Sequence, residues 1–381
     1  MVPSERQAEA VTALAILSLL IWLYLLLAHG QFWRSEPELP RRHPVGTPSV
    51  AVVVPARDEA PLIGDTLRSL LAQDYAGPFR VILVDDGSGD GTGDIARALD
   101  DPRLTVLTGA ARPAGWSGKL WAVHQGIAAA GPVDLLLLTD ADIVHDPAHL
   151  ASLVAQMEAG RLDMVSEMVR LACDSWAERV LVPAFVFFFQ LLYPFAWVNK
   201  PSCATAAGAG GTILVRRQAL ERVGGIACVR GALIDDVALA KAIKQAGPIW
   251  LGHATQARSV RPYPGVGDIW RMITRTAYVQ LRYSPLLLAG TVLGMLLTWI
   301  VPPAAALAGH GLGRLCGALA WALLALSYLP TLTRYRRSWL WAPVLPLVAA
   351  FYTAATIAAA INHHTGRGVA WKSRTYQASG A

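Results

Sequence analysis

Four stretches of this chain carry no charged residue over close to the length a helix needs to cross a bilayer: residues 11–28, 286–309, 315–333 and 339–361. A hydrocarbon core about 30 Å thick takes about 20 apolar residues in a helix. With no water there to satisfy peptide groups, such segments have to be helical. Whatever globular fold the chain has must come from what lies between the first stretch and the second. That middle part, residues 31–284, has ordinary charge density and is long enough for one sizeable core. The organisation expected is an N-terminal anchor at 1–30, a globular domain at 31–284, and C-terminal membrane helices with a tail at 285–381. The composition agrees: 54% of the 381 residues are hydrophobic and only 16% are charged, against roughly 25% charged in soluble domains.

The formal charge is +6, but the cations are scattered or flank the apolar runs, as do Arg34, Arg41, Arg42, Arg271, Arg275, Arg282, Arg334, Arg336 and Arg337. That distribution suits membrane-flanking residues and argues against a nucleic-acid groove. Arginines after the first stretch and before the second put the middle domain in the cytosol by the positive-inside rule. A cleaved signal peptide is the rival reading of the first stretch. Glu5 and Glu9 stand beside Arg6, the run is long, and no A-x-A site follows, so an uncleaved anchor is expected. Three further spans would leave the C-terminus outside, yet Arg367, Lys372 and Arg374 lie there, and the side of the tail stays open. Cys173, Cys203, Cys228 and Cys316 show neither C-x-x-C spacing nor a paired framework. A reduced, cytosol-facing domain follows.

A fifth uncharged run, LVPAFVFFFQLLYPFAWV at 181–198, is interrupted by Pro183 and Pro194. A span here would separate Asp140 and Asp236 across the bilayer. The run is read as an interfacial or half-inserted segment presenting a lipid, with a buried core helix as the alternative.

The middle domain alternates short strands and helices. Strands are expected at 49–55 (SVAVVVP), 79–84 (FRVILV), 104–107 and 133–139 (VDLLLLT), with helices at 61–73, 91–99 and 119–130. This is the pattern of an open, mostly parallel α/β sheet with helices on both faces. The segments 55–59, 85–90 and 140–146 fall at the C-terminal ends of strands, the edge at which such sheets bind ligands.

Asp140-Ala141-Asp142 follows a buried strand directly. Two carboxylates one residue apart can share a hard divalent cation whose other ligands are water and substrate phosphates; an ordinary acidic turn is the alternative. Asp85-Asp86-Gly87-Ser88 is either a tight turn or a carboxylate site for a base, a ribose or the metal. Gly208-Ala209-Gly210-Gly211 is either flexible backbone or a place where backbone comes close to a sugar. Asp235-Asp236 opens the apparent helix VALAKAIKQ, where a carboxylate caps the helix or serves as a general base. The absence of G-x-G-x-x-G after the first strand, and of a Walker A loop, counts against dinucleotide and P-loop chemistry.

Taken in order, PARDEA, VDDGSGDGT, GWSGKLWAVHQG, TDADIVHDP, GAGGTILVRRQALERVGG and IDDVALA resemble the family 2 glycosyltransferases of GT-A fold, over about residues 50–285. With FVFFFQLLYPFAWVN and the segment opening Gly267-Asp268-Ile269-Trp270, the resemblance is closest to bacterial hopanoid-biosynthesis-associated glycosyltransferases. It implies a GT-A sheet and inverting transfer of a sugar from a nucleotide-sugar donor, a UDP-sugar as first expectation. The acceptor implied is a hopanoid or other polyisoprenoid lipid at the bacterial inner membrane. Pro55, Glu59, Asp85, Asp86, Lys119, Asp140 and Arg282 would lie on the donor side. Asp140 and Asp142 would hold Mg²⁺ or Mn²⁺, Asp236 would be the base, and Gly210, Gly211 and Asp235 would face the acceptor.

One departure bears on product length. Where many relatives carry Q-x-x-R-W, this chain has Val279-Gln280-Leu281-Arg282-Tyr283. The Arg is kept, and the Gln and Trp are replaced by Val and Tyr. That favours single transfer over processive polysaccharide synthesis, the second enzyme reading. A non-catalytic membrane scaffold that kept the fold is the third reading. Intact acids at each strand end and at Asp236 weigh against it.

Overall fold

The computed structural model describes residues 5–365, 369–371 and 374–376, and the chain folds into two compact units. Arg367 and Lys372 lie outside the described residues; Arg374 pairs with Trp371 in a short antiparallel ladder.

One unit, Glu36–Ala172 with Phe195–Pro262, holds a sheet of eight strands. In chain order these are β1 Val50–Ala56, β2 Phe79–Asp85, β3 Leu104–Thr108, β4 Leu135–Thr139, β5 Ile143–His145, β6 Met164–Arg170, β7 Thr212–Arg216 and β8 Ile249–Ser259. Their order across the sheet is β3-β2-β1-β4-β7-β6-β8-β5. The β1–β2, β2–β3, β1–β4 and β6–β8 pairs are parallel, whereas β7 runs antiparallel to both β4 and β6, and β5 antiparallel to β8. The expected parallel half is therefore present. The remainder is mixed, because the GGTILVR strand enters the sheet beside β4 instead of extending it through a helical crossover.

The parallel half follows from its sequence. Val50, Val52 and Val54 on one face of β1 and Ala51 and Val53 on the other are all buried, as expected for a strand covered on both faces. Ile63, Leu67 and Leu70 place one face of the helix Ala60–Leu71 in the core. On the helix Gly118–Ala129, Gly126 lets the backbone press against β1. A Cβ there would lie 2.4 Å from Val53 Cγ1 and 3.2 Å from Val84 Cγ2. This close approach sets the height of Lys119, seven residues earlier on the same helix.

The other unit contains the segments before Glu36, Cys173–Pro194, and the chain from Tyr263 onward. Among its described residues, four helical stretches are long and apolar enough to cross a membrane: Arg6–Leu27, Pro285–Ala308, Gly311–Arg334 and Trp339–His364. The second contains a π-helical turn, Leu296–Ile300, followed by Pro302 and Pro303. Pro302 has no N–H to give to the Thr298 carbonyl. The Trp22 indole donates to that carbonyl at 2.8 Å and meets Trp299 edge to face, centroids 5.1 Å apart. A backbone group that lipid could not satisfy is thus satisfied from the first helix.

These boundaries cut the chain differently from 30/31 and 284/285. The fifth apolar run breaks at Pro194. The helix Trp176–Leu192 buries Leu181, Val182, Pro183, Ala184, Val186, Phe187 and Gln190. Its Phe187 and Phe188 pack on Phe32, Trp299, Tyr328 and Tyr352 within the apolar unit. Phe195–Val198 belongs to the sheet unit, where Asn199 exchanges two hydrogen bonds with the Leu251 backbone. Glu178 fastens the first half to Tyr263 by accepting from the backbone N–H groups of Asp174, Ser175 and Tyr263. All four cysteines are free thiols.

Gly126→Val should force the helix off β1 and cost about 1–3 kcal/mol, as overpacking does. Thermal unfolding in detergent should show a lowered midpoint; an unchanged one contradicts the close approach.

Candidate active site

Because β1, β2 and β4 are adjacent and parallel, with Ala56 opposite Asp85 and Val53 opposite Leu138, their C-terminal ends share one edge. Asp140 emerges there from β4, Asp85 ends β2, Pro55 lies in the last residues of β1 and Glu59 follows it. The antiparallel β7 brings Gly210 and Gly211 to the same edge, since Thr212 pairs with Thr139. A cavity at this edge is lined by Pro55, Lys119, Asp140, Gly210, Asp235 and Asp236, backed by apolar side chains such as Leu120, Ile213 and Leu239.

Lys119 joins the two acidic arms. Its Nζ lies 2.9 Å from Asp140 Oδ1 and 3.4 Å from Asp235 Oδ2. It sits in the first turn of a helix capped by Ser117, where the helix dipole disfavours a cation. Its partners outweigh that. Burial alone would lower the ammonium's pKa, but Asp140 first, then Asp235 and Asp236, hold it above its usual value.

Asp235 and Asp236 occupy the first turn of the helix Asp235–Ala246, where carboxylates are favoured. Asp236 Oδ2 accepts from Gly210 N–H at 2.9 Å and Oδ1 from Val237 N–H at 2.8 Å. Burial and then the Asp235 charge push Asp236 up to about 6, against the pull of Lys119 and those two N–H groups. Asp236 is thus a stronger base than an exposed carboxylate, yet still largely ionised at neutral pH. Asp140 is raised as well, first by burial and then by Asp142 and Asp235, with Lys119 opposing.

The other expected residues form a second layer. Asp142 Oδ2 accepts from Arg261 Nε at 2.8 Å and from Ser259 Oγ at 3.1 Å. Arg261 also reaches Glu59 Oε1 at 2.6 Å, so one guanidinium links two of the buried acids. Asp85 Oδ1 accepts from Ser88 N–H, and a Cβ on Gly93 would come within 2.5 Å of its Oδ2, so glycine there makes room for the carboxylate. Arg57 Nη1 donates to the Asp86 carbonyl. Gly211 presents its carbonyl to the Thr139 hydroxyl at 2.7 Å. Arg282 belongs to the other unit, just beyond the helix Val266–Gln280; it and Tyr283 adopt left-handed backbone, φ 51° and 55°.

Arg261 and Ser259 were not among the residues singled out from sequence. The local signal was only a cation two residues past a strand, and nothing local says which carboxylates it meets. For a cation, the donor set is open. Among the described residues no three His, Cys, Asp or Glu side chains form a closed cage. Asp140 and Asp142 present carboxylate oxygens, which suits a hard ion such as Mg²⁺ or Mn²⁺ that takes most of its ligands from phosphates and water. The residues fit that role.

Residues 51–224 match the family described as Glycosyl transferase family 2. An N-acetylglucosaminyltransferase of Bradyrhizobium sp. (strain ANU 289) is 31% identical over 145 residues, 37% of this chain and 92% of that protein. A 4,4'-diaponeurosporenoate glycosyltransferase of Staphylococcus aureus (strain bovine RF122 / ET3-1) is 34% identical over 95 residues, 25% of this chain and 24% of that protein. Among solved structures, a mannosyltransferase from Pyrobaculum calidifontis in complex with GDP-Man and Mn²⁺ superposes with a TM-score of 0.59 at 23% identity, covering 92% of this chain and 98% of that one. That likeness is one of fold, the GT-A glycosyltransferase fold.

Infrared difference spectra of wild type against Asp236→Asn should show a carboxylate titrating near pH 6. In Lys119→Met, which removes the opposing cation, the same titration should move to higher pH. A shift to lower pH, or none, contradicts the electrostatics of the site.

Proposed function

The chain belongs to glycosyl transferase family 2 and is a glycosyltransferase, and from that premise we propose that it moves a single sugar from a nucleotide-sugar donor to a membrane lipid, with inversion at the anomeric carbon. The observation that carries this reading is that one lysine pairs with both Asp140, just past the end of its strand, and Asp235, the neighbour of the raised carboxylate Asp236. A leaving-group side and a base side then border one cavity.

Asp236 would take the proton of the acceptor hydroxyl. The freed oxygen forms the new bond to the anomeric carbon while the bond to the diphosphate oxygen breaks, and the electron pair leaves with the diphosphate. One base and one displacement give inversion. Asp140 and Asp142 would hold Mg²⁺ or Mn²⁺, which when bound neutralises charge on the departing diphosphate. Lys119 adds a fixed positive charge beside it. Pro55, Glu59, Asp85 and Asp86 would border the nucleotide. Gly210 and Asp235 would face the acceptor, whereas Gly211, where a Cβ would lie 2.8 Å from Val169 Cγ2, packs against Val169.

A lipid acceptor is supported by the four apolar helices, and a hopanoid or another polyisoprenoid alcohol is the specific proposal. The location proposed is the bacterial inner membrane, with the sheet unit in the cytosol, on the strength of the arginines beside the apolar segments.

Purified protein in lipid nanodiscs, given labelled UDP- and GDP-sugars and a bacterial lipid extract, should produce a lipid carrying one sugar by mass spectrometry. Asp236→Ala and Asp140→Ala should each lower transfer by about 100-fold or more. Because Asp236 acts unprotonated, kcat/KM should fall as pH drops through about 6 and level off above it. Full activity in either variant refutes the assignment, and a ladder of products would favour polymer synthesis.

A further inference from the structure

Behind the cavity lies a chain of buried polar groups that the proposed mechanism does not use. Glu167 on β6 and His149, at the start of the helix His149–Ala159, are fully buried, with Glu167 Oε2 2.5 Å from His149 Nε2. His149 Nδ1 lies 2.8 Å from His145 Nδ1, and His145 Nε2 lies 3.2 Å from Thr139 Oγ1. Thr139 Oγ1 lies 2.7 Å from the Gly211 carbonyl. Glu167 Oε1 has no partner among the described residues. A half-satisfied buried carboxylate destabilises a fold, so packing alone does not account for Glu167.

The direction of every bond follows from one end. A carbonyl only accepts, so the Thr139 hydrogen points to Gly211. His145 Nε2 must then donate to Thr139. Burial and the neighbouring His149 hold His145 well below the usual histidine range, so it is neutral, with a bare Nδ1. That nitrogen accepts from His149 Nδ1–H, which leaves one proton shared between His149 Nε2 and Glu167. Thr139 immediately precedes Asp140, while Gly211 follows Gly210, whose N–H holds Asp236.

We propose that Glu167, His149 and His145 are positioning residues that orient the Thr139 hydroxyl onto Gly211 and so lock the Asp140 turn in register with the Gly210–Asp236 arm. The role rests on the glycosyltransferase reading above, because the two arms it locks are the leaving-group side and the base side. Loss of the clamp lets the arms shift by a fraction of an ångström, which affects the chemical step more than donor binding.

Thr139→Val removes the hydroxyl and keeps the shape; Thr139→Ser keeps the hydroxyl. We expect Thr139→Val to lower kcat about 10- to 100-fold, with donor KM within about threefold, and Thr139→Ser to stay near wild type. His145→Leu, which removes the donor to Thr139, should reproduce the Thr139→Val loss, and the double variant should fall no further, because both break one chain. If His145→Leu does not fold, the Thr139 pair decides alone. Wild-type kcat per folded molecule in Thr139→Val, or losses that multiply in the double variant, overturns the proposal. Nitrogen-15 spectra of the histidine rings read the relay without substrate. His145 should carry its proton on Nε2, and a bare Nε2 overturns the proposal even if the activity changes. Absence of transfer by the wild-type protein would refute the functional reading instead, and the ring spectra would still test the relay.

Discussion

The arrangement of the site depends on a single ammonium group. Asp140, Asp235 and Asp236 converge on one cavity, and without a counter-charge their mutual repulsion in a desolvated place would push the arms apart or leave them protonated. Lys119 supplies that charge from a helix whose height over the sheet is set by Gly126 against Val53. The close contact of a glycine with a valine and the electrostatics of the cavity are therefore one problem. Asp140 stays paired, and Asp236 is left with a moderately raised pKa that suits a base working at neutral pH.

Much of this was legible in the sequence, because the signals are local. A valine-rich run with no polar break reads as a buried parallel strand, and an acid just past such a run reads as a residue at the binding edge. The strand-end positions of Asp85 and Asp140 were readable in that way, and Asp236 by its place at the start of a helix. The four apolar stretches were equally plain, being set by length and the absence of charge alone. What stayed hidden is what depends on long-range pairing. Arg261 reaches back to Asp142 and to Glu59, and β7 slips antiparallel between β4 and β6. Likewise, nothing local marks His145 and His149, and only the fold sets Glu167 beside His149.

The apolar unit repeats the lesson in a different solvent. A proline in the second helix orphans the Thr298 carbonyl, and an indole on the first helix meets it. The fifth apolar run, interrupted in the sequence by Pro183 and Pro194, is divided at Pro194 between the two units, because Gln190 and Glu178 tie its first half among the apolar helices while Asn199 ties its end to β8. Composition could not separate these halves; hydrogen-bond partners do.

The central claim is that the Lys119-linked acids form a metal-assisted nucleoside diphosphate site. Calorimetric titration of UDP and GDP into the purified protein, with and without Mn²⁺, tests it most directly. At least one nucleotide should bind with Mn²⁺ present, and affinity should fall about tenfold or more when the metal is withheld or when Asp140 is replaced by Asn. Binding of neither nucleotide, or equal binding with and without metal, would contradict the account.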